Sequence, residues 1–273
     1  MTKIPCSVPI LTLNRRNALE RCLPLLNEYF DDVFLFDGNS TDGTREYAES
    51  LGIRIENQFA TSEPNQKIEN FRDMRLRSWK LCKYDWVFYF DSDETITKKT
   101  IEQIRDAVAK DDPHAFYRFT SRIILPDGRI PEHAFCYAIP TPRLFHRGIG
   151  VTLADRPVHE KFVFPEAVHY VDVESDMLVP WESAEEMWKR QRRYAELDGE
   201  HVLPGWKHFF VKILYFNFRS LFGQLIRSIR AMLIGLVRHE VALPWSYTYY
   251  GVIRYRFSVI GHQLRAWFRI TFR

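Results

Sequence analysis

The sequence predicts an α/β fold built on a mostly parallel, doubly wound sheet with helices on both faces. Two observations carry this prediction: apolar strands alternate with helical segments between residues 7 and 110, and polar side chains follow three of those strands where each ends. A third concerns the C-terminal quarter of the chain, which is helical, aromatic and basic in pattern. It therefore predicts a helical, amphipathic extension after the sheet.

The elements alternate in the order β-α-β-α-β-α-β. This order favours a parallel sheet, because each crossover helix returns the chain to the same edge. The predicted strands cover residues 7–13, 32–36, 52–55, 86–90, 115–125 and 130–146, and the predicted helices cover 17–30, 44–51, 65–83, 98–110, 182–200 and 206–238, with a further helical segment over 247–273.

Length and composition fit one large α/β domain, or one domain with an appendage. The chain has 273 residues, 46% of them hydrophobic and 15% aromatic, which is enough for a core and unlike a disordered chain. We expect residues 1–175 to form the sheet domain and residues 176–273 the helical extension.

Cysteine usage and hydropathy add further expectations. The four cysteines, at positions 6, 22, 82 and 136, have no C-x-x-C spacing, so we expect reduced thiols in a cytosolic protein and no zinc site. The first residues have no apolar stretch of the secretory type, and no uncharged apolar run reaches about 18 residues. We therefore do not expect a conventional membrane-spanning helix.

Polar residues stand at the ends of three predicted strands. Thr12 and Asn14 follow the first strand, Asp37 follows the second, and Asp91 and Asp93 follow the strand at 86–90. In open α/β sheets ligands bind beyond the carboxyl ends of the strands. We therefore expect these side chains to converge on one crevice.

The tripeptide Asp91-Ser92-Asp93 is the candidate metal site. Two neighbouring carboxylates repel each other, and a divalent cation removes that repulsion. Mg²⁺ and Mn²⁺ prefer oxygen ligands, which they often share with phosphate groups. Solvated loop acids, or a cap for the following helix, are the alternatives for so common a tripeptide. The aromatic strand before it and the matching strand ends favour the metal.

Three segments together resemble family 2 glycosyltransferases of the GT-A fold. They are residues 7–15, 37–44 and 86–94, and the resemblance covers about residues 5–165. The chain is most similar to bacterial enzymes that extend the lipopolysaccharide core or related surface glycans. In those enzymes the D-x-D-E segment is followed by P-x-R-L-F and V-H-E segments, found here at 142–145 and 158–160.

The resemblance implies a nucleotide-sugar site. Thr12, Leu13 and Asn14 would line the nucleotide base, Asp37 would contact the base or ribose, and Arg75 would lie near the base or phosphate. The chain departs from the family pattern in three places: leucine stands at positions 11 and 13, and Asp37-Gly38 replaces a common acidic pair.

The resemblance also implies a metal at the D-x-D segment. Asp91 would face the ribose or the metal, and Asp93 would bind the metal directly. Ser92, between them, belongs to the predicted nucleotide-sugar site, and His159 is a further candidate metal ligand.

Inverting transfer also requires a base for the acceptor hydroxyl and stabilisation of the leaving diphosphate. Glu160, beside His159, is the candidate base, and Asp155 is the alternative. A buried histidine beside a surface glutamate is the structural alternative for the first pair. Arg143 and Arg156 could neutralise the diphosphate, although a solvated arginine is as plausible for each alone.

The charge is distributed unevenly along the chain. Residues 205–273 hold eleven Lys and Arg and one acid, a net charge of +10, whereas the first 204 residues hold 27 basic and 34 acidic residues, a net charge of −7. The basic side chains of the predicted helix at 206–238 fall within roughly one third of its circumference. This pattern favours a monotopic, in-plane anchor on an anionic membrane. The alternative is an ordinary helical layer with solvated arginines.

The sequence therefore predicts a metal-dependent, inverting glycosyltransferase, peripheral to the cytoplasmic face of the membrane. It would use Mn²⁺ or Mg²⁺, a nucleotide-diphosphate sugar donor, and a lipid-linked or surface-glycan acceptor. One alternative is a sugar-phosphate nucleotidyltransferase, which normally has a glycine-rich loop after the first strand, where residues 12–16 contain no glycine. The other is a nucleic-acid-binding protein. The acidic body argues against it, and we expect no nucleic-acid partner.

Overall fold

The computed structural model describes residues 2–134, 140–155, 161–165, 167–199 and 202–272. Three side chains inside these ranges, at positions 176, 198 and 199, are left out of the description.

The chain divides into two compact units. Unit 1 comprises Met1–Arg122 and Ala138–Val179, and unit 2 comprises Ile123–Tyr137 and Pro180–Arg273. The boundary predicted from the sequence falls after residue 175, and it does not separate the segment Ile123–Tyr137 from the sheet domain.

Unit 1 contains the main sheet. Its seven strands are β1 (Ile4–Thr12), β2 (Phe30–Asp37), β3 (Arg54–Asn57), β4 (Trp86–Phe88), β5 (Ala115–Ile124), β6 (Pro140–His146) and β9 (His169–Pro180). β5 ends two residues beyond the unit, and β9 ends one residue beyond it. Their spatial order is β3-β2-β1-β4-β6-β5-β9. The first four strands of this order run parallel, and β6 runs antiparallel to both β4 and β5. The predicted mostly parallel sheet is confirmed.

A two-stranded antiparallel ribbon lies outside the main sheet. It pairs β7 (Thr152–Leu153) with β8 (Phe162–Val163). The helices of unit 1 are α1 (Arg16–Leu19), α2 (Leu23–Tyr29), α3 (Thr44–Ser50), α4 (Phe71–Lys80) and α5 (Lys98–Lys110).

The sheet is covered on both faces because its buried strands alternate their side chains. Along β2, Val33 and Leu35 belong to one buried cluster, whereas Phe34 and Phe36 belong to another. Successive side chains of a strand point to opposite faces. The two clusters therefore fill the two sides of the sheet, as the doubly wound prediction requires.

Several elements differ from the sequence prediction: β7, β8 and β9 were not predicted, and the helix expected over 65–83 covers only Phe71–Lys80. The helix expected over 17–30 is two short helices, because Pro24 occupies the first turn of α2, where proline is well accommodated and starts a new helix. The strand expected over 130–146 begins at Pro140, and residues 130–134 contribute only a bridge between His133 and Ala242.

Unit 2 is helical. Its helices are α6 (Ala184–Gly199), α7 (Trp206–His208), α8 (Phe216–Arg238), α9 (Trp245–Thr248) and α10 (Tyr255–Thr271), and π-helical segments join α7 to α8 and α9 to α10. The continuous helix Trp206–Arg238, hereafter the long helix, has 33 residues. Its length, and the mean hydropathy of 1.4 in an 18-residue window of it, match those of a membrane-crossing helix, although no span was expected from the sequence. By itself this is weak evidence for a membrane.

Cys6, Cys22 and Cys82 are free and buried, in agreement with reduced thiols. Burial raises the pKa of both Cys22 and Cys82 to about 12, so these two thiols are poor nucleophiles at neutral pH. Cys136 lies outside the described residues.

Candidate active site

The carboxyl ends of β1 and β2 lie side by side. Thr12, the last residue of β1, is the register partner of Asp37, the last residue of β2. The Thr12 hydroxyl donates a hydrogen bond of 3.0 Å to Asp37 Oδ1. β4 flanks β1 on the other side, through the Ser7 and Val87 register pair. The predicted convergence of three strand ends is therefore present in the sheet order.

Asp37 is a buried hub at this edge. Its carboxylate is fully shielded from solvent. Besides Thr12, the groups that contact it are the backbone N–H of Ser40 at 2.9 Å, the Ser40 hydroxyl at 2.6 Å and the Arg45 guanidinium at 2.9 Å. A buried polar group is destabilising unless it has such hydrogen-bond partners. Asp37 therefore holds the loop after β2 in place.

Asn14 links the loops that follow β1 and β2. Its backbone has a φ of 54°, a left-handed conformation that asparagine tolerates better than most residues. The Asn14 N–H donates to Ser40 Oγ at 2.8 Å, and its amide group donates to Asn65 Oδ1 at 2.8 Å. Asn14 Oδ1 accepts from the Thr41 N–H at 2.9 Å. Asn14 is exposed, and Leu13 beside it is half-buried.

Gly38 allows the loop after β2 to approach the chain after β3 closely. A Cβ atom at this position would lie 2.5 Å from the Gln66 carbonyl oxygen and 3.4 Å from Leu13 Cδ1. Backbone cannot yield to that extent, so a side chain would force the two segments apart. The glycine that departs from the family's acidic pair thus has a packing role.

An open cavity of about 580 Å³, lined by both polar and apolar residues, lies beside this loop. It is lined by Asn39, Ser40 and Thr41, by Arg45, and by residues between 57 and 64 that follow β3. Small-molecule sites typically occupy about 300–1,000 Å³ and place a few polar groups around the ligand. The cavity therefore has room for a nucleoside-sized group. The sequence analysis did not predict it, because its lining comes from an irregular segment.

α4 carries Arg75 towards the end of β4. The helix begins at Asn70, whose side chain accepts a hydrogen bond of 3.1 Å from the Asp73 N–H, a standard N-cap contact. Trp79, later in α4, packs edge-on against Phe145 of β6 with 4.8 Å between ring centroids. This packing aligns α4 with β6, the strand that carries Arg143.

Two arginines clamp Asp91. The Arg75 guanidinium contacts Asp91 Oδ1, and Arg143 Nη1 lies 3.4 Å from Oδ2. Both guanidiniums also lie over the ring of Tyr89, with Cζ at 4.1 Å and 5.5 Å from the centroid. Burial acts to raise the pKa of Asp91, but the charges of Arg75 and Arg143 outweigh it and lower the pKa. Asp91 is therefore held as a carboxylate.

Glu94 completes this cluster. Its side chain is 2% exposed and contacts the Arg143 guanidinium, and its Oε2 accepts from the Asp91 N–H at 3.2 Å. Burial raises the pKa of Glu94 to about 7, against the opposing charge of Arg143. The sequence analysis did not single out Glu94 as a site residue. The sequence feature that could have identified Glu94 is its position in the segment Asp91-Ser92-Asp93-Glu94. In the structure this segment forms a turn, in which the Glu94 N–H donates to the Asp91 carbonyl at 3.1 Å.

Ser92 and Asp93 occupy the tip of that turn, and both are half-buried. Over the described residues, no group of three or more His, Cys, Asp or Glu side chains is arranged to hold a metal. Both oxygens of Asp91 face arginines. Asp91 is thus engaged by ion pairs within unit 1.

The predicted acceptor-side residues are described only in part. Asp155 is exposed and lies two residues after β7. β7 is held against α4, because Arg72 Nε donates to the Leu153 carbonyl at 3.1 Å. His159 and Glu160 lie outside the described residues, as does Arg156.

The family described as glycosyl transferase family 2 matches residues 7–152, just over half of the chain. The chain belongs to glycosyl transferase family 2. The predicted family is confirmed, and the matched region contains Thr12, Asp37, Arg75, Asp91 and every strand of the parallel half of the sheet.

Two curated relatives from this comparison are bacterial. The "lipopolysaccharide core biosynthesis glycosyltransferase LpsC" of Rhizobium meliloti (strain 1021) is 26% identical over 162 residues, which cover 59% of this family 2 chain and 58% of LpsC. An "uncharacterized glycosyltransferase" of Rickettsia bellii (strain RML369-C) is 26% identical over 116 residues, which cover 42% of this chain and 37% of the relative. The chain thus spans between about a third and three fifths of these relatives.

Solved structures also resemble this family 2 chain. S. aureus TarS matches with a TM-score of 0.45 and 16% identity, covering 71% of this chain and 39% of TarS. The glucosyl-3-phosphoglycerate synthase of Mycobacterium tuberculosis, in complex with Mn²⁺ and UDP-glucose, matches with a TM-score of 0.34 and 19% identity, covering 44% of each chain.

Proposed function

We propose that this protein is an inverting glycosyltransferase that moves a sugar from a nucleotide-diphosphate donor to a lipid-linked or surface-glycan acceptor. Membership of glycosyl transferase family 2 supports transfer over the nucleotidyltransferase alternative. The observation that carries the proposal is the position of the clamped Asp91, just beyond β4, in the sheet order that also aligns Thr12 and Asp37.

The donor nucleotide would lie along the loops after β1 and β2. Thr12, Leu13 and Asn14 supply the end of β1, and Asp37 fixes the facing loop through its hydrogen bonds. The adjoining cavity of about 580 Å³ supports this placement, since it opens on the same edge of the sheet. Asp37 would act mainly by holding the loop, because its oxygens are buried.

The donors at the turn fit a divalent cation. Mg²⁺ usually takes one or two protein carboxylates and completes its shell with substrate phosphates and water. That arrangement needs no cage of three protein ligands, which agrees with the groups found among the described residues. Asp93 would hold the ion, and Asp91, with its ion pairs, would border it. His159, as a further ligand, remains a prediction from the sequence.

Charge balance gives a physical reason for a cation. Arg75 and Arg143 are matched by Asp91 and Glu94, so this cluster is neutral when both carboxylates are ionised. A neutral cluster does not offset the charge of a diphosphate. Bound Mn²⁺ or Mg²⁺ would supply that charge and stabilise the leaving group.

The acceptor hydroxyl must lose a proton as it attacks the sugar. Asp155 and Glu160 are the proposed bases, and a base must lie within hydrogen-bond reach of the proton it removes. The hydrogen bond from Arg72 to the Leu153 carbonyl, which fixes β7 against α4, supports a place for Asp155 near the donor site.

The proposed acceptor class follows from the relative and from unit 2. LpsC is named for lipopolysaccharide core biosynthesis, and its similarity supports a surface-glycan acceptor. The basic, apolar helices of unit 2 support attachment to an anionic membrane, where a lipid-linked acceptor would be found. We place the protein at the cytoplasmic face of the membrane, as a peripheral protein.

Binding of nucleoside diphosphates tests the proposal. We expect UDP, GDP or CDP to raise the melting temperature in thermal-shift assays, and MnCl₂ to increase that rise. The Asp93→Asn variant should lose the manganese-dependent part. The matched control is Asp106→Asn, since Asp106 is exposed on α5, and it should behave as wild type. No response to any of the diphosphates, with or without manganese, would contradict the proposal.

A further inference from the structure

The long helix has a packed sector that attaches it to unit 2. Four residues of α8, namely Asn217, Leu221, Ser228 and Gly235, are buried. At 3.6 residues per turn they lie within about 40° of one another around the helix axis. The fully buried residues of α8 therefore occupy only a narrow strip of the helix.

The second sector is apolar and exposed. Between Phe218 and Val237, a stretch that the structure describes in full, eight large apolar side chains are 38% to 78% exposed. They occupy an arc of about 140° beside the packed sector. Soluble proteins rarely expose a continuous apolar surface of this kind unless something covers it.

The third sector is basic. Arg219, Arg227, Arg230 and Arg238 are all exposed and lie within about 100° of one another, directly next to the apolar sector. No Asp or Glu occurs between positions 206 and 238. The partner that covers the apolar sector must therefore offer an apolar region to that sector and negative charge to the adjacent arginines.

An anionic phospholipid bilayer has that combination of properties, with acyl chains below a layer of phosphates. A second copy of this chain fits less well, because a twofold contact through the apolar sector would bring identical arginines together. Charge complementarity therefore selects the bilayer.

We propose that the apolar sector inserts sideways into the acyl region of an anionic bilayer, with the arginines at the level of the lipid phosphates. This inference rests on the membrane attachment proposed above and makes it specific. The helix lies in the membrane plane, and its hold on the membrane is mainly apolar.

Contacts along the whole length of the helix oppose a spanning orientation. Trp206 packs against Trp267 with 5.0 Å between ring centroids, and Asn217 Nδ2 donates to Gln263 Oε1 at 2.7 Å. At the other end, a Cβ atom on Gly235 would lie 2.8 Å from Ala242 Cβ. A helix crossing the bilayer would carry these neighbours and their polar groups into hydrocarbon, which is strongly unfavourable.

Co-sedimentation of the full chain with vesicles tests the proposal. The probe vesicles contain phosphatidylcholine with 30% phosphatidylserine, at 0.1 M and 0.5 M NaCl. The triple variant Phe222→Ser, Ile226→Ser, Leu233→Ser should lose binding at least about tenfold at both salt concentrations. The matched triple variant Arg219→Gln, Arg227→Gln, Arg230→Gln should lose binding at 0.1 M but equal wild type at 0.5 M, where surface charge is screened.

The depth of insertion is measured with variants that each carry one additional tryptophan. Emission from Phe222→Trp should be quenched by lipids with brominated acyl chains beyond the wild-type level, and emission from Arg227→Trp should not. Wild-type binding that disappears at 0.5 M salt would overturn insertion and leave surface contact only. The inference is also overturned if the serine variant binds vesicles normally and instead dissolves a dimer seen by light scattering. Nucleoside-diphosphate binding of the serine variant should equal wild type, which separates failure here from failure of the proposed enzyme activity.

Discussion

The two units place their arginines in opposite environments. In unit 1, Arg75 and Arg143 are buried, and each contacts a carboxylate near the end of β4. In unit 2, Arg219, Arg227 and Arg230 are exposed on a helix that has no acidic residue. A buried charge is stable only with a partner inside the protein. An exposed row of one sign is available for a partner outside it.

Phenylalanines show the same contrast. Phe88 of β4 is fully buried and stacks on Phe30 with 6.0 Å between centroids, whereas Phe222 of the long helix is 59% exposed. In unit 1, Phe88, Arg75 and Arg143 thus have their partners within the protein. The long helix leaves both its apolar and its basic sectors for the surroundings. This contrast distinguishes unit 1, which offers a site for a small ligand, from the long helix, which offers a surface for a large partner.

Removal of the carboxylate at the crevice should give the largest effect. Asp93→Asn should lower transfer by roughly a thousandfold, because it removes the charge that would hold the cation on the leaving diphosphate. Its melting temperature should stay at the wild-type value, since Asp93 lies at a half-buried turn. The measurement is sugar release from labelled nucleotide sugars with MnCl₂. Equal activity in Asp93→Asn and the control Asp106→Asn would refute the metal assignment.

Two matched phenylalanine variants test the apolar half of the comparison. Phe88→Ala should lower the free energy of unfolding by about 3–5 kcal/mol, because it leaves a cavity in the sheet core. Phe222→Ala should change it by less than about 0.5 kcal/mol, as for most exposed positions. Urea unfolding followed by circular dichroism measures both. A large loss in Phe222→Ala would mean that the exposed sector is covered within the protein in solution.

Two matched arginine variants test the charged half. Arg143→Gln should cost about 3 kcal/mol of unfolding free energy, since it leaves Glu94 buried without its ionic partner. Arg230→Gln should be neutral in the same assay. The double variant Arg143→Gln, Glu94→Gln should recover part of the loss, because no uncompensated charge then remains. Absence of any recovery would show that packing, and not charge, explains the cost.

The sequence was sufficient to predict the parallel half of the sheet, because strand and helix periods alternate cleanly along residues 7–110. The order β2-β1-β4, and hence the joint position of Thr12, Asp37 and Asp91, follows from that alternation and from crossover rules. The pairing of Asp91 with Arg143 could not be predicted in this way. It joins residues 52 positions apart through β6, a strand antiparallel to β4 whose place in the sheet no local pattern specifies.

The cavity and Glu94 were missed for different physical reasons. The cavity depends on the path of the chain between residues 57 and 64, where there is no regular period to read. Glu94 looks like a solvated turn residue in the sequence. Its burial becomes visible only when Arg143 is brought against it.

A small, salt-dependent effect should come from an arginine whose surroundings are intermediate between those of Arg143 and Arg230. Arg118 of β5 makes a two-point ion pair with Asp172 of β9, at 2.6 Å and 2.8 Å, but Asp172 is 54% exposed. Solvent weakens such pairs, so Arg118→Gln should cost less than about 1 kcal/mol. The cost should shrink further in 0.5 M NaCl, whereas the cost of Arg143→Gln should not, because screening does not reach buried charge. Urea unfolding at both salt concentrations measures the difference. If Arg118→Gln lost the same unfolding free energy at both salt concentrations, the pair would behave like the buried cluster of Arg143, because only charges shielded from solvent escape screening.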